Sequence, residues 1–125
     1  MLALYIGVAG ALGSMSRYWL GSWVTALVGA KTEVPMGTLT VNLLGSLAMG
    51  FLVAVFEARG EMDSRLRMAL AVGFLGGFTT YSSFAIQTVG LLENRSTAEA
   101  ALYVSLTLVG AGVACYVGLL LGRRL

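Results

Sequence analysis

Gly73-Phe74-Leu75-Gly76-Gly77-Phe78-Thr79-Thr80-Tyr81-Ser82-Ser83-Phe84 lies inside an uncharged run that extends from Met68 to Leu92. As a straight helix that run would span about 37 Å, more than the roughly 30 Å hydrocarbon core of a bilayer. Adjacent glycines followed by β-branched threonines are poor helix formers, and the nearby hydroxyls offer the backbone other partners. Two readings stay open. The segment can unwind at mid-membrane, leaving carbonyls free for a cation and amides free to face an anion. Alternatively it is a continuous, tilted helix in which Gly73 and Gly77 form a GxxxG packing face.

Outward from this segment, two more uncharged runs, Val34 to Phe56 and Ala100 to Gly122, are each long enough to cross a bilayer. A further run, Met1 to Ala30, is interrupted only by Arg17. Its start lacks the basic region of a signal peptide, so it reads as a retained span. The expected spans are about 3–28, 35–57, 66–92 and 99–122, in one membrane domain covering residues 1–125. The fold class is an all-α integral membrane protein with four transmembrane helices. The connectors, Ala30-Lys31-Thr32-Glu33, Glu57 to Arg67 and Glu93 to Glu99, leave no room for a soluble domain. Pro35, the only proline, suits the first turn of the second span, where its missing N–H costs nothing. No sequence repeat argues for an internal duplication.

Composition agrees. The chain is 58% hydrophobic and 11% charged, against about 25% charged in soluble domains. A soluble protein of 125 residues has too much surface for so few charges. Its 17 glycines suit close helix packing in lipid. A formal charge of +2, with no basic stripe, gives no reason to expect nucleic acid as a partner. With no His and one Cys, the chain can build neither a zinc site nor a disulfide framework. Cys115, in an apolar run, reads as a small core residue. No acid, base and nucleophile come together at a plausible site, so an enzyme is not expected.

The polar residues within the spans are few. Thr38 and Asn42 share a helical face, with Gly45 one turn beyond. Asn42 either glues helices together or lines a wet path. Tyr103 and Thr107 repeat the four-residue spacing, as an interfacial anchor and its neighbour or as a polar track. Arg17 is the only charge inside a span, and Tyr18, Trp19 and Trp23 follow it. It either snorkels to headgroups or lines a vestibule that concentrates anions. The acids stand at 33, 57, 61, 63, 93 and 99, at or beyond the ends of the spans and none within an uncharged run. Proton-coupled transporters usually carry an intramembrane carboxylate, so a passive anion path is favoured.

Three segments then carry a resemblance: Gly10-Ala11-Leu12-Gly13-Ser14-Met15-Ser16-Arg17-Tyr18, Gly37-Thr38-Leu39-Thr40-Val41-Asn42-Leu43-Leu44-Gly45, and Gly73 to Phe84. In order and chain length they resemble the signatures of the CrcB/Fluc fluoride channel family. The resemblance implies passive fluoride export across the bacterial inner membrane by an antiparallel, dual-topology homodimer with two pores at its interface. It implies a central structural Na⁺ held by the backbone carbonyls of Gly76 and Thr79. It places pore-lining roles at Asn42, Tyr81, Phe84, Ser83, Thr38, Tyr103, Thr107 and Gln87, and a vestibule role at Arg17. Tyr81 stands where the family usually has Phe, and Gln87 where it often has Glu. The implied partners are fluoride, a second copy of the chain and the lipid bilayer.

Such a site has a chemical logic. Neutral donors from Asn42, Ser83 and Tyr103, with the electropositive edges of Phe84 and Tyr81, would give weak successive sites that an anion can leave as well as enter. The main alternative is a proton-coupled small multidrug-type transporter. That class depends on a carboxylate in its first span, whereas the first acid here is Glu33, in a connector. A third reading is a noncatalytic assembly subunit that uses its glycines only for packing.

Overall fold

The uncharged runs become helices, and the computed structural model describes residues 1–60 and 63–125. Glu61, counted above among the acids, and Met62 lie outside the described residues. Every regular element among the described residues is helical. Helix α1 spans Leu2–Val28 and runs into a 3₁₀ turn, Gly29–Lys31. Helix α2 spans Met36–Arg59. Pro35 is its N-cap, one position before the first turn expected from sequence, and there too the absent N–H leaves nothing unpaired.

Helix α3 covers residues 64–78 and changes pitch along its length. Ser64–Met68 is α-helical, Ala69–Leu75 is π-helical and Gly76–Phe78 is α-helical again. Residues 79 and 80 are extended, with φ/ψ of −80°/159° and −150°/118°. Helix α4, Tyr81–Glu93, and helix α5, Thr97–Gly122, complete the chain. The non-helical stretch is thus two residues long and falls after the glycine pair. The β-branched threonines take the extended backbone they favour, whereas the glycine pair stays in the helix.

Glycine contact with α1 explains that distribution. A side chain on Gly77 would strike the backbone of Gly10, and one on Gly13 would strike the Phe74 carbonyl. At Gly73 a Cβ would stand 2.7 Å from the Ile6 carbonyl oxygen. α1 and α3 therefore meet backbone to backbone, as small residues allow in membrane helices. The widened π turn, in which the Gly76 N–H reaches back to the Ala71 carbonyl, falls within this contact. Helices α2 and α5 meet in the same way, with Gly50 against the Cys115 carbonyl and Gly118 against the Leu47 carbonyl.

Among the described residues, three helical stretches are long and apolar enough to cross a membrane: Met36–Arg59, Ser64–Glu93 and Thr97–Gly122. α1, with 27 residues, is long enough but not among them, because Ser14, Ser16, Arg17, Tyr18 and Trp19 dilute its apolar character. Arg67 closes the end of α2: its Nη2 donates to the carbonyls of Phe56 (3.2 Å) and Gly60 (2.9 Å). Its guanidinium also lies 5.5 Å from the centre of the Phe56 ring. A cation at a helix C-terminus is favoured both by the free carbonyls and by the helix dipole. At the opposite end of α2 the buried cluster includes Val34, Leu39, Phe84, Leu91, Ala100 and Tyr103.

Candidate functional site

Asn42, from the second turn of α2, faces the extended residues 79 and 80. Its Nδ2 donates to the Thr80 carbonyl at 3.0 Å, and its Oδ1 accepts the Thr80 N–H at 2.8 Å. Both groups are buried, so each bond replaces a helical partner that the backbone would otherwise lack. In a continuous helix the Thr80 N–H would point to the Gly76 carbonyl; here Asn42 takes it. Thr80 is also the N-cap of α4, its Oγ1 accepting the Ser83 N–H at 3.3 Å and donating to Ser83 Oγ at 3.1 Å. Sequence reading did not single out the Thr80 side chain as a site residue. A threonine three positions before Ser83, ahead of an apolar helical run, was the available signal.

Arg17 reaches inward from α1, its Nη1 3.4 Å from the Thr79 carbonyl. That places its head beside the extended residues. One turn earlier on α1, Ser14 Oγ donates to the Gly77 carbonyl at 3.4 Å, a contact the sequence reading also missed.

Two cavities flank the Asn42–Thr80 pair. The larger, of about 630 Å³, is lined by Ser14, Arg17, Thr38, Thr80 and Ser83 among others. The second, of about 350 Å³, is lined by Asn42, Thr80, Tyr81, Phe84, Thr107 and their neighbours, with Cys115 at its wall. Among the described residues, neither has an acid in its lining. Phe84 stands between two aromatic neighbours, edge to face with Tyr81 at 5.5 Å and with Tyr103 at 5.2 Å. The three rings differ in access: Tyr81 is 76% exposed, Phe84 is buried and Tyr103 is fully enclosed. The Tyr103 hydroxyl donates to Gln87 Oε1 at 2.9 Å. Gln87 in turn lines a third cavity, of about 280 Å³, together with Thr38 and Glu33.

Thr107 differs from the other polar residues, for its Oγ1 is buried without a hydrogen-bond partner. It faces the cavity that holds Asn42 and Phe84. The sequence-derived residues thus fall into two groups: Asn42, Tyr81, Phe84 and Thr107 around one cavity, and Arg17, Thr38 and Ser83 around the other. Tyr103 and Gln87 are joined to each other behind Phe84.

The donor set at Gly76 and Thr79 suits a hard cation. No group of three metal-ligating side chains stands among the described residues, so a cation would be held by backbone oxygens. The Gly76 carbonyl has lost its helical partner to Asn42, and Gly76 is exposed. A continuous helix would aim the Ser83 N–H at the Thr79 carbonyl, but that N–H goes to Thr80 Oγ1. Two such carbonyls in each of two chains would make an oxygen cage without any carboxylate. Arg17 shares the Thr79 carbonyl, which limits that oxygen to one further partner.

Comparison with known proteins adds to this geometry. Residues 4–119 match the family described as CrcB-like protein, Camphor Resistance (CrcB). The fluoride-specific ion channel FluC of Syntrophotalea carbinolica is 39% identical over 125 residues, 100% of each chain. The fluoride-specific ion channel FluC of Agrobacterium fabrum is 40% identical over 120 residues, 96% of this chain and 94% of the relative. That of Sorangium cellulosum is 39% identical over 121 residues, covering 97% and 94%.

Proposed function

The chain belongs to the CrcB family, and from that premise we infer that it is a fluoride channel of the bacterial membrane, not an enzyme. The observation that carries the permeation site is the reciprocal pairing of Asn42 with the Thr80 backbone, set between two acid-free cavities. Four spans cross the bilayer, α1 included. Its polar stripe, with Ser14 and Arg17, faces the larger cavity instead of disqualifying it as a span.

In this reading fluoride enters a vestibule beside Arg17, whose charge raises the local anion concentration. It then passes neutral donors at Thr38, Ser83, Asn42 and Thr107 and the edges of the Tyr81 and Phe84 rings, exchanging water for weak contacts one at a time. Tyr103 and Gln87 support Phe84 from behind. Two copies of the chain pack antiparallel, giving two paths, and the Gly76 and Thr79 carbonyls would hold a structural Na⁺. When bound, Na⁺ supplies a fixed positive charge that ties the two copies together. A proton-coupled transporter needs a carboxylate within its spans, and the absence of acid from both cavities counts against one.

The test uses purified protein in liposomes loaded with fluoride or with chloride. Fluoride should discharge down its gradient with no proton gradient present, and chloride should be retained. Equal leakage of the two ions, or strict dependence on a proton gradient, would overturn the reading.

A further inference from the structure

The third cavity, of about 280 Å³, belongs to the end of the molecule where α1 turns into α2. Its lining includes Thr32, Glu33, Thr38 and Gln87, and among the described residues Glu33 is the only charged one in it. Cavity three and the 630 Å³ vestibule share three wall residues, Thr25, Gly37 and Thr38. The vestibule likewise holds a single charged residue, Arg17. The two cavities therefore adjoin along one polar surface with a base on one side and an acid on the other.

Glu33 is held in place. The Thr32 hydroxyl accepts the Val34 N–H at 3.1 Å, which fixes the turn that carries Glu33. Across the bundle, Ser96 Oγ donates to Glu33 Oε2, pinning one carboxylate oxygen to the start of α5. Lys31, Glu93, Arg95 and Glu99 belong to the same connectors or helix ends, yet none of them lines the cavity. The hydrogen bond from Ser96 gives this exposed carboxylate a partner at the cavity.

Resting on the fluoride-channel reading, we infer that Glu33 restricts fluoride entry at this mouth and so sets the unit transport rate of the chain. A fixed negative charge lowers the concentration of anions beside it, and one unit charge at this range, partly screened by water, changes that concentration about two- to tenfold. Arg17, in the adjoining vestibule, has the opposite sign. The pair makes a path that admits an anion reluctantly at the mouth and attracts it in the vestibule. Gln87, on the same cavity wall, offers an amide and carries no second charge.

The experiment compares initial fluoride efflux from liposomes containing wild type, Glu33→Gln and Ser96→Ala. Glu33→Gln should speed efflux about two- to tenfold. Raising ionic strength with an impermeant salt should bring the Glu33→Gln and wild-type rates together, since screening removes the effect of the one charge by which they differ. Ser96→Ala keeps the charge and removes the tether, so its rise should be smaller than that of Glu33→Gln. The inference is overturned if Glu33→Gln, eluting as the same oligomer, is no faster than wild type, or if Ser96→Ala matches its increase. Should Glu33→Gln fail to fold, Glu33→Ala takes its place, and efflux no faster than wild type overturns the inference. Wild-type liposomes that retain fluoride would overturn the channel reading on which the inference rests.

Discussion

At the scale of single residues, Asn42 and Thr107 present opposite hydrogen-bonding situations. Asn42 uses both ends of its amide on Thr80, and removing it would leave a buried N–H and a buried carbonyl unpaired. Each such loss costs about 1–3 kcal/mol in soluble proteins. Asn42→Asp retains an acceptor for the Thr80 N–H but sets a carboxylate oxygen against the Thr80 carbonyl and beside the anion path. Fluoride efflux should fall at least about tenfold, since a desolvated charge there changes the barrier by more than 1.4 kcal/mol, while the oligomer persists on size-exclusion chromatography. Normal flux would make Asn42 a packing residue only. Thr107 has a buried hydroxyl and no partner to lose. Thr107→Val should therefore leave thermal stability unchanged or slightly raised, since it removes an unsatisfied polar group. If the hydroxyl serves passing fluoride, the same variant slows efflux several-fold. A stable variant with wild-type flux would take Thr107 out of the path. Asn42 was legible in the sequence because an amide eight residues into an apolar span needs a partner. Its partner was not, because Thr80 lies 38 positions away and only the fold joins them.

At the scale of elements, the helices and their approximate limits followed from the uncharged runs, because lipid and core both demand apolar length. What escaped was whatever depends on one helix touching another. The π-helical turn at Ala69–Leu75 coincides with the approach of α1 to Gly73, a contact no periodicity in α3 announces. Likewise the chain leaves helical geometry at residues 79 and 80 and not at Gly76 and Gly77, since Gly10 packs onto Gly77 and Asn42 captures Thr80. The α2–α5 contact yields a direct prediction. A Cβ at Gly118 would occupy the space of the Leu47 carbonyl, which belongs to rigid helix backbone. Gly118→Ala should separate the two helices and destabilise the protein by about 1–3 kcal/mol, the usual cost of overpacking. Gly112, on the same helix, has nothing within 4 Å of the added methyl, so Gly112→Ala should be tolerated. Thermal unfolding in detergent, followed by monodisperse recovery, distinguishes them. Equal behaviour of the two variants would mean that the α2–α5 contact yields easily.

At the scale of the whole molecule, the proposals concern two copies and an ion. If Na⁺ bridges the Gly76 and Thr79 carbonyls of both chains, prolonged Na⁺ removal should abolish fluoride efflux and its return should restore it, with Li⁺ or K⁺ poor substitutes. Activity that persists over hours without Na⁺ would leave those carbonyls to Arg17 and to water. Orientation is the deeper question, and the charges argue for one answer while the site argues for another. Arg59, Arg65, Arg67, Arg123 and Arg124 fall on the side of the termini, against Lys31 and Arg95 on the other, a bias that favours cytoplasmic termini. Yet Arg67 is engaged with the carbonyls that end α2, and Glu57 and Asp63 lie among the arginines of that connector. The bias also varies in strength with position, so five basic residues need not enforce a single orientation. An inverted partner gives a closed two-fold interface with its axis in the membrane plane, the arrangement that homodimers favour. It would bring two copies of the extended residues 79 and 80 together near the bilayer centre, where four carbonyls could share one cation. Parallel copies could meet there only around an axis along the membrane normal. The decisive measurement places a single cysteine at the C-terminus in a Cys115→Ser background and exposes intact cells to a membrane-impermeant thiol reagent. Dual topology predicts that about half of the protein reacts, as equal insertion in both orientations requires, and that the rest reacts only after permeabilisation. Uniform protection would establish cytoplasmic termini throughout and exclude the antiparallel dimer.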